Sequence, residues 1–417
     1  MRMICILIGG MVGLLLLASS GCGESSISGS DTSGMNSGDM NTPGVNIGGS
    51  DNSALFAASS VIDFNLVFTD AEWAKLIYIH DHPPKDNMQP KEYVHCGFEF
   101  RGVLFPDAAC RPKASPELWH EEQKPQFAIR FDHWNSKGRF YGLRRINFEA
   151  NQYNPAPVRD RLAMWLMQKA GLHTPRVNHA RVLKNGQYFG LYMNIEQIDK
   201  EFIEYQFKDS TGNLYSQGRE LETNKKANDY SRIQKLWDLV ELEPLNGNHA
   251  NFFVQLDQLL DMPTMLRLTA AEVVLPTGDN WSNGSSNYYY YDDPLTQRFV
   301  MMPWDLDTLL DYASPPNADI YAFWGIPGAE NTPNKTLQLV YQNAAWKKEF
   351  ADNLVELRDG AYKDLSAQVT MVCDQIRPFV ATDPHAVGPV SAMDKDCQAI
   401  RDGIATRRAY IKMVLGR

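Results

Sequence analysis

The sequence predicts an α+β chain in two lobes, strand-rich first and helix-rich second. Three observations carry this. Runs of β-formers crowd the first half, from the alternating 61–68 to 188–195. From residue 228 onward the apolar period changes to 3.6. The 417 residues are 44% hydrophobic and 22% charged, enough to bury a sizeable core.

The elements follow in order. Residues 1–21 read as an export signal: Arg2 is a thin positive start, 4–18 an apolar stretch, and Ser19, Ser20 and Gly21 the small residues before Cys22. The stretch falls short of the roughly 20 apolar residues that span a bilayer. The end of this signal resembles a bacterial lipobox, whose cysteine becomes the lipidated first residue of the mature chain. Ser19 stands where such a motif carries leucine, and a plain secretory signal is the alternative. Residues 21–53 then hold eight Gly, eight Ser, four Asn and no Lys or Arg. That composition buries too little apolar surface to offset its ordering entropy, so 22–53 is expected to be a flexible linker. Folded structure is expected from Ala54.

A strand is expected at 61–68, then a short helix that Asp70 caps and that carries Trp73 and Leu76. Strands follow at 93–100, 126–131 and 143–148, with a loop containing Pro106, Pro112 and Pro116 between the first two. Pro157 opens a helix through Leu162, Trp165 and Leu166, which Gly171 stops. Asn185-Gly186 is the strongest hairpin signal in the chain, between strands at 181–183 and 188–195. Helices are expected at 229–242, 250–260 and 262–275, the last capped by Asp261 with Pro263 in its first turn. A hairpin of 287–291 and 298–302 turns through Asp293-Pro294, and 335–415 is mostly amphipathic helix. The domain at 54–417 thus divides into an N-lobe of about 54–200 and a C-lobe of about 201–417.

Composition excludes several classes. With 40 basic and 50 acidic residues the net charge is −10, and no Lys/Arg run marks a nucleic-acid or polybasic membrane binder. Six cysteines without a CxxC pair exclude a disulfide scaffold and a zinc ribbon. In an oxidising compartment the four beyond Cys5 and Cys22 either pair as Cys96–Cys110 and Cys373–Cys397 or stay buried thiols. There is no GxSxG, GxxxxGK[ST] or HExxH motif, and no GxGxxG after a strand.

What remains is the region 278–311. Gly278-Asp279-Asn280-Trp281 leads to Asn287 and four consecutive tyrosines, and one hairpin later comes Pro303-Trp304-Asp305-Leu306-Asp307. Asp305 and Asp307 lie on one side of an extended chain. Close buried carboxylates must share a cation or a proton. Oxygen ligands of this kind, with an amide such as Asn287, suit Mg²⁺ or Mn²⁺ carrying a phosphate chain. Asp279 is placed to accept a proton from a hydroxyl. A solvated acidic turn, with Asp307 merely capping a helix, is the alternative on spacing alone.

The chain resembles the spore-coat protein H (CotH) kinase family. The resemblance lies in 182–199, Val-Leu-Lys-Asn-Gly-Gln-Tyr-Phe-Gly-Leu-Tyr-Met-Asn-Ile-Glu-Gln-Ile-Asp, in Asp279 with Asn287-Tyr-Tyr-Tyr-Tyr, and in Pro303-Trp-Asp-Leu-Asp. Lys124-Pro-Gln-Phe and Pro157-Val-Arg-Asp-Arg-Leu are weaker matches. The resemblance implies a two-lobed atypical protein-kinase-like fold that transfers phosphate from ATP, with Mg²⁺ or Mn²⁺, to a protein substrate. It implies Asp279 as the catalytic aspartate and Asp305 as the principal metal ligand, with Asp307 and Asn287 beside it. Lys124 would contact phosphate, Glu196 would hold a metal or a basic partner, and Arg159 would belong to the nucleotide site. The family carries Gly-Asn-Ser after the Arg-Gly of its second strand; here Arg101-Gly102 leads into Val-Leu-Phe-Pro.

Two functions compete. One is a metal- and ATP-dependent protein kinase, exported and tethered to the membrane only through its lipid anchor. The other is a non-catalytic surface scaffold or adhesin on the same fold. Retention of Asp279, Asp305 and Asp307 favours the kinase.

Overall fold

The computed structural model describes residues 46–82, 91–113, 124–150, 153–284, 286–310, 315–321 and 334–417. The export signal, Cys22, Pro116 and most of the linker lie outside the described residues.

Among the described residues the first half holds nine strands. They are β1 (Asn46–Ile47), β2 (Ile62–Val67), β3 (Val94–Phe100), β4 (Val103–Lys113), β5 (Gln126–Arg130), β6 (Arg139–Phe140), β7 (Arg145–Glu149), β8 (Val177–Lys184) and β9 (Gln187–Ile195). Seven close into a barrel in the order β2-β3-β4-β5-β7-β9-β8. β2 and β8 complete it in parallel, with Phe64 opposite Val182. Alternate side chains point inward and fill the barrel. Its centre is aromatic: Phe64 lies 5.6 Å from Phe98 and 5.1 Å from Phe148, ring centre to ring centre.

Three expectations need correction here. The 46–53 end of the linker belongs to the fold, because Asn46 and Ile47 pair with Arg139 and Phe140 and Ile47 packs on the barrel core. The proline loop is the eleven-residue strand β4. Pro106 is tolerated because the β3–β4 register shifts between Cys96 and Phe98, at a bulge that needs no ladder donor. The first helix, α1 (Asp70–Asp81), is capped by Thr69, whose hydroxyl accepts the Glu72 N–H at 3.2 Å, and Asp70 sits in its first turn. The β8–β9 hairpin turns at Asn185 and Gly186, both with positive φ (49° and 79°), as a tight two-residue turn requires.

α2 (Arg159–Lys169) falls between β7 and β8 in sequence, yet Leu162, Leu166 and Met167 pack into a second core. The break between lobes is therefore not a single point in the chain. The second lobe continues with α3 (Lys200–Gln206), β10 (Leu214–Ser216), β11 (Glu220–Leu221), α4 (Ser231–Leu242), α5 (Ala250–Leu259) and α6 (Met262–Val274). Asp261 caps α6, accepting the Thr264 N–H at 3.0 Å. Then come β12 (Tyr288–Asp293), β13 (Arg298–Pro303), α7 (Lys335–Val340), α8 (Ala344–Asp359), α9 (Ala361–Val380) and α10 (Val390–Leu415). The small sheet runs β11-β10-β12-β13.

The barrel and the helical lobe keep separate apolar clusters, one around Phe64 and Phe98, the other around Leu268, Met301, Leu354 and Ile404. That is the predicted α+β architecture in two lobes. Both cysteine pairs are disulfides: Cys96–Cys110 joins β3 to β4, and Cys373–Cys397 joins α9 to α10. Among the described residues no helix is long and apolar enough to cross a membrane.

Candidate active site

The β12–β13 hairpin builds the site. Its base is closed by the Trp304 N–H donating to the Asn287 carbonyl at 3.1 Å. The residues flanking the hairpin, Asn287 and Asp305, both lie in the left-handed region, with φ of 68° and 51°. Asn and Asp are the non-glycine residues that tolerate this best, and such backbone concentrates at working sites. The Asn287 side chain reaches back to the loop that carries Asp279.

Asp279 is received there by two donors. Asn287 Nδ2 donates to its Oδ2 at 2.9 Å and to its backbone carbonyl at 3.1 Å. Thr308 Oγ1 donates to its Oδ1 at 2.8 Å, and the same hydroxyl accepts the Gly278 N–H at 3.0 Å. The carboxylate is thus fixed from both sides by neutral groups.

Asp160, in the first turn of α2, is 1% exposed and accepts the Leu306 N–H at 3.0 Å. One helix thereby grips the backbone between Asp305 and Asp307. Burial raises the Asp160 carboxyl to about 7; the Leu306 bond opposes this, Glu149 adds to it, and Lys113 opposes it. Asp305 is pushed well above the carboxylate range by burial first, then by Asp307 and Asp160, with Lys113 pulling the other way. Lys113, at the end of β4, forms an ion pair with Glu149 at the end of β7. Burial acts to lower its ammonium, but Glu149 and then Asp305 outweigh burial and hold it above its ordinary value.

Lys113, Glu149, Asp160, Asp279, Asn287, Asp305 and Asp307 thus form one electrostatic neighbourhood. Acidic groups outnumber the one lysine, and Asp305 and Asp160 are raised by burial first and by neighbouring carboxylates after it. A divalent cation would offset that excess of acidic groups. Among the described residues no three His, Cys, Asp or Glu are close enough to cage a metal by themselves. An all-oxygen set of one or two carboxylates fits Mg²⁺ or Mn²⁺, which complete their shells with phosphate and water.

Three expected site residues are engaged elsewhere. Lys124 is buried, donates to the Leu191 carbonyl and lies 2.9 Å from Asp383, beyond α9. Burial lowers its ammonium despite that partner. Glu196 is engaged by Arg176, whose Nε and backbone N–H donate at 2.9 and 3.1 Å. Arg159 is buried, forms a two-pronged ion pair with Asp396 of α10 and donates to the Leu309 carbonyl at 2.9 Å. Each holds elements together. Sequence reasoning missed Lys113, Glu149, Asp160 and Thr308; the one available signal was Asp160, which follows Arg159 in the Pro157-Val-Arg-Asp-Arg-Leu block.

A family model described as CotH kinase protein matches residues 117–411. The inner spore coat protein H of Bacillus subtilis (strain 168) is 22% identical over 295 residues, covering 66% of this chain and 79% of that protein. Among solved structures, the Shewanella oneidensis MR-1 HipA–HipB toxin–antitoxin complex with operator DNA overlaps 85% of this chain and 74% of its own. Its identity is 11% and its TM-score 0.38. The Helicobacter pylori proinflammatory kinase CtkA overlaps 72% of this chain and 96% of its own, at 11% identity and a TM-score of 0.24. Overlaps at these TM-scores add nothing to the assignment, which the family model and the spore-coat relative carry. This two-lobed, kinase-like chain belongs to the CotH kinase protein family.

Proposed function

We propose that the protein is an ATP-dependent protein kinase that uses Mg²⁺ or Mn²⁺ and modifies a hydroxyl of a protein substrate. The observation that carries the reading is Asp279, fixed by Asn287 and Thr308 beside the acidic group of Asp305, Asp307 and Asp160. Phosphoryl transfer asks for positioning and charge neutralisation more than for covalent chemistry.

In this reading Asp279 orients the acceptor hydroxyl and takes its proton. Asp305, with Asp307, holds the divalent ion, which neutralises charge on the phosphates when bound. Lys113 takes the phosphate-contacting role expected of Lys124, with Glu149 steering its ammonium. Asn287 spends its amide hydrogens on Asp279, so it serves as a positioning residue. Incubating the purified chain with labelled ATP and Mn²⁺ or Mg²⁺, alone and with candidate acceptor proteins, tests the activity. Absence of label on every acceptor and on the chain itself would defeat it.

The same reading places the domain outside the cytoplasmic membrane, carried there by the 1–21 signal and held by a lipid on Cys22. The Gly/Ser/Asn composition of the linker supports a tether. Mass spectrometry of the mature N-terminus decides this: diacylglycerol on Cys22 supports it, and a free N-terminus at a later residue contradicts it.

A further inference from the structure

We propose that Glu272 is a positioning residue for this reaction, anchoring from within the second core the loop that carries Asp279. The proposal rests on the reading of Asp279 given above.

Glu272 lies on α6, a helix whose neighbouring Leu268, Ala271 and Val274 are core residues. A carboxyl has no packing reason to be there, and it is only 1% exposed. Its Oε2 accepts the backbone N–H of Ser282 at 2.9 Å. The other oxygen, Oε1, is buried and has no hydrogen-bond partner among the described residues. Among the described residues no lysine or arginine bonds to this carboxyl or contributes to its charge balance. A core that needed only stability would carry an apolar residue of similar volume at this position.

The bond to Ser282 fixes more than one residue, because the loop is bonded to itself. Ser282 Oγ donates to Asn280 Oδ1 at 2.9 Å, and the same oxygen accepts the Asn283 N–H at 3.1 Å. Asn280 and Asn283 in turn both donate to Thr277. Asp279 sits inside this closed set. The loop has a second core anchor, since Asn334 Nδ2 donates to the Trp281 carbonyl at 2.7 Å. Glu272 and Asn334 therefore hold adjacent residues, one by its N–H and one by its carbonyl. Thr308 and Asn287 then set the Asp279 side chain on a backbone already fixed.

Burial raises the Glu272 carboxyl to about 8, against the Ser282 bonds and with a further push from Asp279. Burial thus favours the uncharged acid, whose hydrogen-bonding shape the amide of Glu272→Gln reproduces. Its carbonyl oxygen still accepts the Ser282 N–H. Glu272→Met fills the volume and cannot accept.

The experiment uses the full chain in three forms, wild type, Glu272→Gln and Glu272→Met. It reads amide hydrogen exchange at Ser282, single-turnover transfer and ATP–Mn²⁺ affinity. For Glu272→Gln, protection and transfer should stay within about threefold of wild type. For Glu272→Met, Ser282 protection should fall by about tenfold or more, the scale of one lost buried hydrogen bond. Transfer should fall by about tenfold or more while ATP–Mn²⁺ affinity stays within about twofold. Wild-type protection and transfer in Glu272→Met would overturn the proposal, as would equal losses in Glu272→Gln. If wild type itself transfers nothing, the reading of Asp279 fails on that result, and the exchange measurement alone decides whether Glu272 anchors the loop.

Discussion

Thr308 Oγ1 stands 2.8 Å from Asp279 Oδ1 and accepts the Gly278 N–H at 3.0 Å, so one hydroxyl ties the loop backbone to its carboxylate. Thr308 follows Asp307 directly. The segment that carries Asp305 and Asp307 therefore also sets the direction of Asp279. Positions within one hydrogen bond of each other decide whether an acceptor hydroxyl and a phosphate line up.

Thr308→Val keeps shape and removes that donor. Transfer should fall by about tenfold, and ATP–metal affinity should stay near wild type, because the interaction acts on orientation. Steady-state kinetics with a direct binding measurement checks this. An unchanged turnover would remove Thr308 from the positioning set.

The two lysines should separate cleanly. Lys113→Met should weaken ATP binding by about tenfold or more, through loss of a charge-assisted contact. Lys124→Met should leave affinity near wild type and destabilise the fold by about 3–5 kcal/mol, because Asp383 is left buried without its cation. Calorimetric titration and denaturant unfolding of both variants read the two quantities. The reverse pattern would restore the nucleotide role to Lys124.

His179 on β8 gives the fold a pH dependence. It is fully buried, its Nδ1 accepts from Arg161 at 2.8 Å, and its Nε2–H donates to the Pro157 carbonyl at 2.6 Å. Burial first, then Arg161, lowers it from 6.5 to about 3, against the Pro157 bond. The unfolded chain therefore binds the extra proton between those values, and stability falls as pH drops through that window. The contribution is about 1.4 kcal/mol per pH unit below 6.5. Urea unfolding at several pH values should show a shallower dependence for His179→Gln; parallel curves would contradict the assignment.

How much of this was legible depends on how local each signal is. Asn185-Gly186, Asp261 before α6 and the strand at 61–68 announce themselves within a few residues, because turn and cap chemistry is local. Asp279, Asn287, Asp305 and Asp307 were legible as a group for the same reason, the loop and hairpin being nearly continuous. Lys113 was hidden by Pro106 and Pro112, which read as loop until the β3–β4 bulge and the pairing with β5 are known. Glu149 and Lys113 meet through barrel closure, which no local period encodes. Asp160 was passed over for its neighbour Arg159. Adjacent residues on a helix point about 100° apart, and only packing shows which one faces the Leu306 backbone.

In the proposed mechanism Asp279 orients the acceptor while Asp305 binds the metal. Single-turnover phosphoryl transfer from ATP–Mn²⁺, measured beside nucleotide affinity in wild type, Asp279→Asn and Asp305→Ala, tests it most directly. Asp279→Asn should bind ATP and metal as wild type does and transfer about 10²-fold more slowly or worse, the scale of a lost general base. Asp305→Ala should fail at metal-dependent nucleotide binding while staying folded. Transfer at the wild-type rate in Asp279→Asn, or unchanged metal-dependent affinity in Asp305→Ala, would contradict the account.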